Sequence, residues 1–387
     1  MESGARYCER SPHPDVENNF PRKPISYYID FPSNGTDSET GFLFVINGYG
    51  ASPSDSYYRH IQGYFADRYN CIVVGVEYFD IENKRKSIAS CRLRDGFFDV
   101  FNRVYGSNIS KNNNIDDHAL LVYLAKALVD AKHSQFDSEL FLTYTPVDCY
   151  QSFGLISALD HLQVLSEVLS MCKINKERMY IMGTSFGGYI GLLLGKLAPQ
   201  TFQLIVDNSG FTEPRLVDVY GKGFSKINIL GCDIAVQHIG YWNDDPSSGK
   251  YFDVHHSEIR SLLVRDHIFK TKTQYFCAHY VDDKMAPFDG KVEFSSLRPD
   301  VDVTCDFVDE SMIDGALYKI PEHGMDASLK LLFERAYSDF IAKDKTLSVE
   351  TDFDLCSSYN FICSNGVSYL IDFSRDDLKF RINMPSA

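Results

Sequence analysis

The chain has no apolar run near the roughly 18 residues that cross a bilayer as a helix; the longest, such as Ile190 to Leu194, stop far short of it. No membrane span is expected. Met1 to Pro14 carries Glu2, Arg6, Glu9 and Arg10 where a secretory signal would have its apolar stretch, so a cytoplasmic protein is expected. Basic residues are scarce, with 38 Lys and Arg against 53 Asp and Glu and a formal charge of -15. Nucleic acid binding depends on clustered cations, so no nucleic acid partner is expected, and the single basic cluster, Lys84-Arg85-Lys86, reads as a solvated turn.

The ten cysteines never come closer than Cys356 and Cys363, which argues against a local CxxC redox pair or zinc knuckles. Free thiols are expected. His255-His256-Ser257-Glu258 has the residue types of a metal site, but adjacent helical side chains point about 100° apart and no further ligand cluster accompanies them. Asp116-Asp117-His118 reads as a helix N-cap and first turn. Neither a metal nor another cofactor is expected.

What is present is an ordinary globular composition, 44% hydrophobic and 24% charged over 387 residues. Short β-branched and aromatic runs alternate with longer amphipathic stretches, the pattern of a mostly parallel sheet flanked by helices. The expected strands are Ile25 to Phe31, Gly41 to Ile46, Cys71 to Tyr78, Arg178 to Met182, Phe202 to Asp207, Gln274 to His279 and Val303 to Phe307. Several are continuously apolar, as strands covered on both faces should be. Helices are expected over Ser152 to Met171, Phe186 to Leu197 and Asp326 to Lys343.

Two stretches break the rhythm and read as cap-like insertions into this core. They divide the chain into core residues 1–79, an insertion at 80–148, core again at 149–208, a second insertion at 209–270, and core at 271–343. The first insertion carries a helical segment around Ala119 to Ala131 and an Asn-rich turn at Asn112 to Asn114. Residues 344–387 read as a small β appendage, with a hairpin at Ser364-Asn365-Gly366.

Gly183-Thr184-Ser185-Phe186-Gly187 fits a GxSxG pentapeptide. Alone it is weak, since a chain this rich in glycine matches it by chance about one time in ten. Its context is specific. Met179 to Met182 reads as a buried strand and Gly188 to Leu197 as a helix of small and apolar residues, so Ser185 would sit on a strand-to-helix turn. The alternative, a glycine-rich helix start without chemistry, does not account for the residues downstream.

At these residues the chain resembles the α/β-hydrolase superfamily, with its mostly parallel central sheet. The resemblance spans roughly Ile25 to Ala342 and implies an order of serine, acid, histidine. His279-Tyr280-Val281-Asp282-Asp283-Lys284-Met285-Ala286-Pro287 is similar to the family's H-G-x-x-D-x-x-V-P loop. It makes Asp283 the acid, with Asp282 and Asp207 as alternatives. Pro321-Glu322-His323-Gly324 places His323 as the base. Asn47-Gly48-Tyr49-Gly50 resembles the H-G-x-G loop, with Asn47 replacing histidine. The implied oxyanion donors are the N–H groups of Phe186 and Tyr49, with Gly48 or Gly50 as alternatives to Tyr49. Beyond these motifs the whole chain looks similar to an uncharacterised bacterial branch associated with flagellin glycosylation loci.

The resemblance implies a serine hydrolase acting through an acyl-enzyme, an esterase or deacylase on a small polar acyl ester or acylated sugar. Two alternatives stay open: an acyltransferase with the same residues, and a non-catalytic scaffold that only binds.

Overall fold

Strands β1 (Gly4–Arg10), β2 (Ile25–Phe31) and β3 (Gly41–Ile46), helix α1 (Ser56–Tyr69) and β4 (Cys71–Glu77) begin the chain. Next come β5 (Arg92–Leu93), α2 (Phe97–Tyr105), α3 (Asp117–Asp130), β6 (Phe141–Tyr144), α4 (Leu155–Met171), β7 (Met179–Thr184), α5 (Phe186–Leu197) and β8 (Leu204–Asn208). A short α6 (Leu216–Val219) leads to β9 (Phe224–Ile229), β10 (Cys232–His238), α7 (Val254–Arg260), β11 (Gln274–Tyr280), α8 (Phe288–Ser296), β12 (Val303–Val308) and α9 (Leu329–Ala342). The tail holds α10 (Asp352–Leu355), β13 (Ser358–Ile362), β14 (Ser368–Phe373) and β15 (Leu378–Asn383). This computed structural model describes residues 4–79, 90–109, 116–343 and 348–385. Lys84-Arg85-Lys86 and Asn112 to Asn114 lie outside the described residues.

The described chain divides into two compact units. The first is built on an eight-stranded sheet in the order β1-β2-β4-β3-β7-β8-β11-β12. β1 and β2 run antiparallel to their neighbours, and from β4 to β12 every pairing is parallel. This is the mostly parallel sheet that the alternation of apolar runs and amphipathic stretches led us to expect. β3, β8 and β11 are buried throughout, as strands covered on both faces must be. Side chains alternate between the two faces. Leu43, Val45, Tyr180 and Met182 pack against Phe65 of α1 and Phe333 and Phe340 of α9, whereas Phe44 meets His161 of α4 with ring centroids 5.1 Å apart.

The C-terminal strands β13, β14 and β15 form an antiparallel sheet of their own. It is fastened by a fully buried ion pair: Arg260 at the end of α7 binds Glu17, and the Tyr369 hydroxyl of β14 donates to Glu17 Oε1 at 3.0 Å. Burial pushes the Glu17 carboxyl up, but the Arg260 charge and hydrogen bond, with smaller help from His256 and Tyr369, together outweigh it and hold the group below its ordinary range.

The second unit takes described residues between 82 and 151 together with Arg215–Phe252. The two excursions join by parallel pairing of β6 with β10, inside a sheet ordered β5-β6-β10-β9. Phe97, Phe101, Leu121, Leu124, Leu142, Ile234 and Val236 give it its own core. The chain is back in the first unit by Asp253, earlier than the expected residue 270, because the helix that follows carries Arg260 into the buried ion pair. Among the described residues no helix is long and apolar enough to cross a membrane.

Candidate active site

β7 is a buried, in-register central strand and α5 is buried along its whole length, so the turn between them has no freedom to relax. Ser185 is the only residue of that turn, at φ 54° and ψ -121°. A non-glycine residue at such a backbone costs of order 1–3 kcal/mol and persists only where its surroundings impose it. They do so here through close packing. A Cβ on Gly183 would fall 2.3 Å from the Gly187 carbonyl oxygen, and one on Gly187 would fall 2.3 Å from that of Ile46. Only glycines let strand, helix and the β3 end approach this closely. The Ser185 N–H is held by the Asn208 carbonyl at 2.7 Å.

Ser185 Oγ lies 2.7 Å from His323 Nε2, and His323 Nδ1 lies 2.6 Å from Asp283 Oδ2. A carboxylate only accepts, so Nδ1 carries the proton and Nε2 is left to accept from the serine hydroxyl. Asp283 is buried, and its Oδ1 accepts the N–H groups of Met285 and Ala286 at 2.8 and 3.0 Å. Burial alone would push this carboxyl up; the hydrogen bonds from His323 and Ala286 outweigh it and hold the group below its ordinary range.

The Asp283 loop is closed by His279 at the end of β11. Its Nε2 donates to the Ala286 carbonyl at 2.9 Å and stands 3.7 Å from Asp283 Oδ2. Burial first, then the Lys291 charge, push the His279 imidazole below its ordinary pKa.

The two alternative acids are engaged elsewhere. Asp282 points to solvent beside Lys284, its side chain 73% exposed. Asp207 is fully buried, with Oδ2 2.5 Å from Lys291 Nζ and Oδ1 accepting the Gly210 N–H at 2.8 Å. Of the three carboxylates, Asp283 is the one hydrogen-bonded to the imidazole.

Phe186 opens α5, where the first N–H groups have no partner within the helix. The Asn47 to Gly50 loop follows β3, and the Tyr49 ring packs on Phe186 at 5.3 Å. A Cβ on Gly48 would stand 3.5 Å from Ser185 Cβ, which puts this backbone beside the serine. Asn47 does not face outward. It is buried, and its Nδ2 donates to the Ala51 carbonyl at 2.6 Å. The Phe211 ring lies 6.0 Å from the His323 ring.

Two neighbours had no motif to announce them. Asn208 Nδ2 donates to the Gly324 carbonyl at 3.1 Å, and Ser209 Oγ accepts the Gly324 N–H at 3.1 Å. The end of β8 thus grips the backbone on both sides of the residue after His323. The only sequence signal was the polar Asn208-Ser209-Gly210 at the end of an apolar strand.

His255 and His256 stack at 3.9 Å; His256 caps its helix, accepting the Asp253 N–H on Nδ1 at 3.0 Å, while His255 Nδ1 lies 3.0 Å from Asn365 Nδ2. Among the described residues no group of three or more His, Cys, Asp or Glu could hold a metal ion. None of the ten cysteines forms a disulfide among the described residues.

The family model described as "Protein of unknown function (DUF2920)" matches residues 7–382. The chain belongs to this family. No curated protein matches it.

Three solved structures illustrate what its fold is similar to. Est1E from Butyrivibrio proteoclasticus is 12% identical, over 88% of this chain and 100% of that one, with a TM-score of 0.45. The esterase Est2 from Thermogutta terrifontis is 9% identical, over 85% and 91%, with a TM-score of 0.45. The acylaminoacyl peptidase of Pyrococcus horikoshii is 14% identical, over 89% of this chain and 41% of that one, with a TM-score of 0.46.

Proposed function

We propose that this protein is a serine hydrolase that works through an acyl-enzyme on Ser185. The observation that carries the reading is the unbroken hydrogen-bonded chain from Ser185 Oγ through His323 to the buried Asp283. In the first step His323 Nε2 takes the hydroxyl proton as Oγ attacks an acyl carbonyl, and Asp283 steadies the imidazolium that forms. The N–H of Phe186 and that of Tyr49 receive the oxyanion. The protonated imidazole then gives its proton to the leaving group. Water, activated by the same base, releases the acid.

The substrate we favour is a small polar acyl compound, either an acyl ester or an O- or N-acylated sugar, with no cofactor. Delivery of the acyl group to a sugar hydroxyl instead of water is the same chemistry with another acceptor.

The test is labelling by a fluorophosphonate probe in wild type and Ser185→Ala. Wild type is expected to label stoichiometrically and the variant not at all. A folded wild type that does not label would leave only a binding scaffold. An acyl-ester panel with and without sugar acceptors then separates hydrolysis from transfer.

A further inference from the structure

The loop beside Ser185 is gripped by two tyrosines that the serine, histidine and aspartate do not involve. Tyr78, which follows β4, directs its hydroxyl at the carbonyls of Asn47 and Gly48, 3.2 and 3.4 Å away. Tyr58, in the first turn of α1, lies with its phenolic oxygen on the side of the Gly48 N–H. Both are buried, at 1% and 8% exposure. They reach the loop from different elements, so their convergence on one glycine is not a by-product of a single helix or strand.

The geometry of a peptide bond gives this a direction. A carbonyl and the N–H of the next residue point opposite ways across one planar, trans unit. The peptide between Asn47 and Gly48 is held at its carbonyl by Tyr78, and its N–H lies on the side of Tyr58. The next peptide is held at the Gly48 carbonyl by Tyr78, and by the Ala51 N–H at 3.2 Å. Its other end is the N–H of Tyr49, which therefore leaves the opposite edge of a fixed plane. Gly48 has its N–H on the side of Tyr58. Its Cα nonetheless lies close to Ser185, since a Cβ there would stand 3.5 Å from Ser185 Cβ.

We infer that Tyr78 and Tyr58 are positioning residues that aim the Tyr49 N–H at the oxyanion formed on the Ser185 acyl adduct. The inference rests on the serine hydrolase reading. A donor fixed before reaction stabilises the developing charge without reorganising. A donor free to rock would still bind the planar substrate, so the loss should fall on kcat rather than KM.

The experiment uses the full chain with p-nitrophenyl acetate and a fluorophosphonate probe, on wild type, Tyr78→Phe, Tyr58→Phe and the double variant. Near-ultraviolet circular dichroism checks that each is folded. Tyr78→Phe is expected to lower kcat about 10- to 100-fold, since a misaimed donor loses less than a deleted one, and to leave KM within about twofold. Tyr58→Phe, expected to cost about tenfold, gives the same reading if Tyr78→Phe does not fold.

Because both hydroxyls act on one pair of peptides, the double variant should fall short of the product of the single losses. Phosphonylation should slow in parallel, as the phosphonyl oxygen occupies the same place. A folded double variant within about threefold of wild type in kcat, or a loss confined to KM, would overturn the assignment. A wild type inert to both probes would instead sink the serine hydrolase reading beneath it.

Discussion

Replacing Asp283 by Asn tests the proton path with almost no change of shape. The two carboxylate oxygens of Asp283 have different surroundings. Oδ1 accepts two backbone N–H groups, from Met285 and Ala286, while Oδ2 faces His323 Nδ1. An amide nitrogen cannot accept those N–H groups, so the Asn carbonyl must take the Oδ1 place and the NH2 must face the imidazole. His323 would then keep Nδ1 as acceptor and carry its proton on Nε2. In that tautomer Nε2 cannot receive the proton of Ser185.

The same inversion in a Ser-His-Asp enzyme lowers kcat by about 10⁴-fold, or about 5 kcal/mol of transition-state stabilisation. We expect that size of loss for Asp283→Asn with p-nitrophenyl acetate near pH 7, with the midpoint of chemical denaturation moved far less than the rate. A variant within about tenfold of wild type would refute the assignment of Nδ1 as proton-bearing and Asp283 as the group that holds it there.

Ser185→Gly should be more stable than Ser185→Ala by about 1 kcal/mol or more in chemical denaturation, because only glycine tolerates φ 54° and ψ -121° without strain. Lys291→Met should cost about 3–5 kcal/mol by leaving Asp207 buried and unpaired, and Asp207→Asn in the same chain should recover much of it. Acid stability should fall in two stages.

Burial lowers His161 to about 4. A neutral folded imidazole opposed to a charged unfolded one makes stability decline as pH drops from about 6.5 towards 4. The loss for this fully buried group alone is about 3 kcal/mol. Asp283, held low in the fold, contributes stability that is present above about pH 4 and is lost only below it. Thermal melts between pH 8 and 3 would reveal both stages; a melting temperature flat down to pH 4 would contradict the first.

The parts legible in the sequence are those whose signal is local. Ile25–Phe31 and Gly41–Ile46 form strands over the spans that their apolar runs mark out. The glycines around Ser185 announced the turn because a Cβ at either place would strike backbone.

β1 gave no such signal. Its residues are mostly exposed, and it is held by backbone pairing to β2. The sheet of the second unit was also hidden, since β6 and β10 find each other in parallel across two excursions that separately suggested only a helix and some turns. At the site, the loop resemblance favoured Asp283 over its neighbour Asp282, but the residues themselves gave no physical reason for the choice. The turn closed by Asp283 N–H on the Tyr280 carbonyl, at 3.2 Å, is what sends one inward and the other to solvent. Asn208 was beyond reach, because its partner Gly324 lies 116 positions away.

The Glu17, Arg260 and Tyr369 contact joins stretches 243 and 352 positions apart, and that bears on how a finished molecule comes into being. During synthesis Glu17 waits for its counter-charge until 243 further positions have been added, and the tyrosine that completes its hydrogen bonds stands 352 positions after it. Until then the carboxylate and guanidinium are better served by water than by a half-built interior. Folding competence should therefore belong to the whole chain. A shortened version ending after α9 lacks Tyr369 and should be recovered as aggregate.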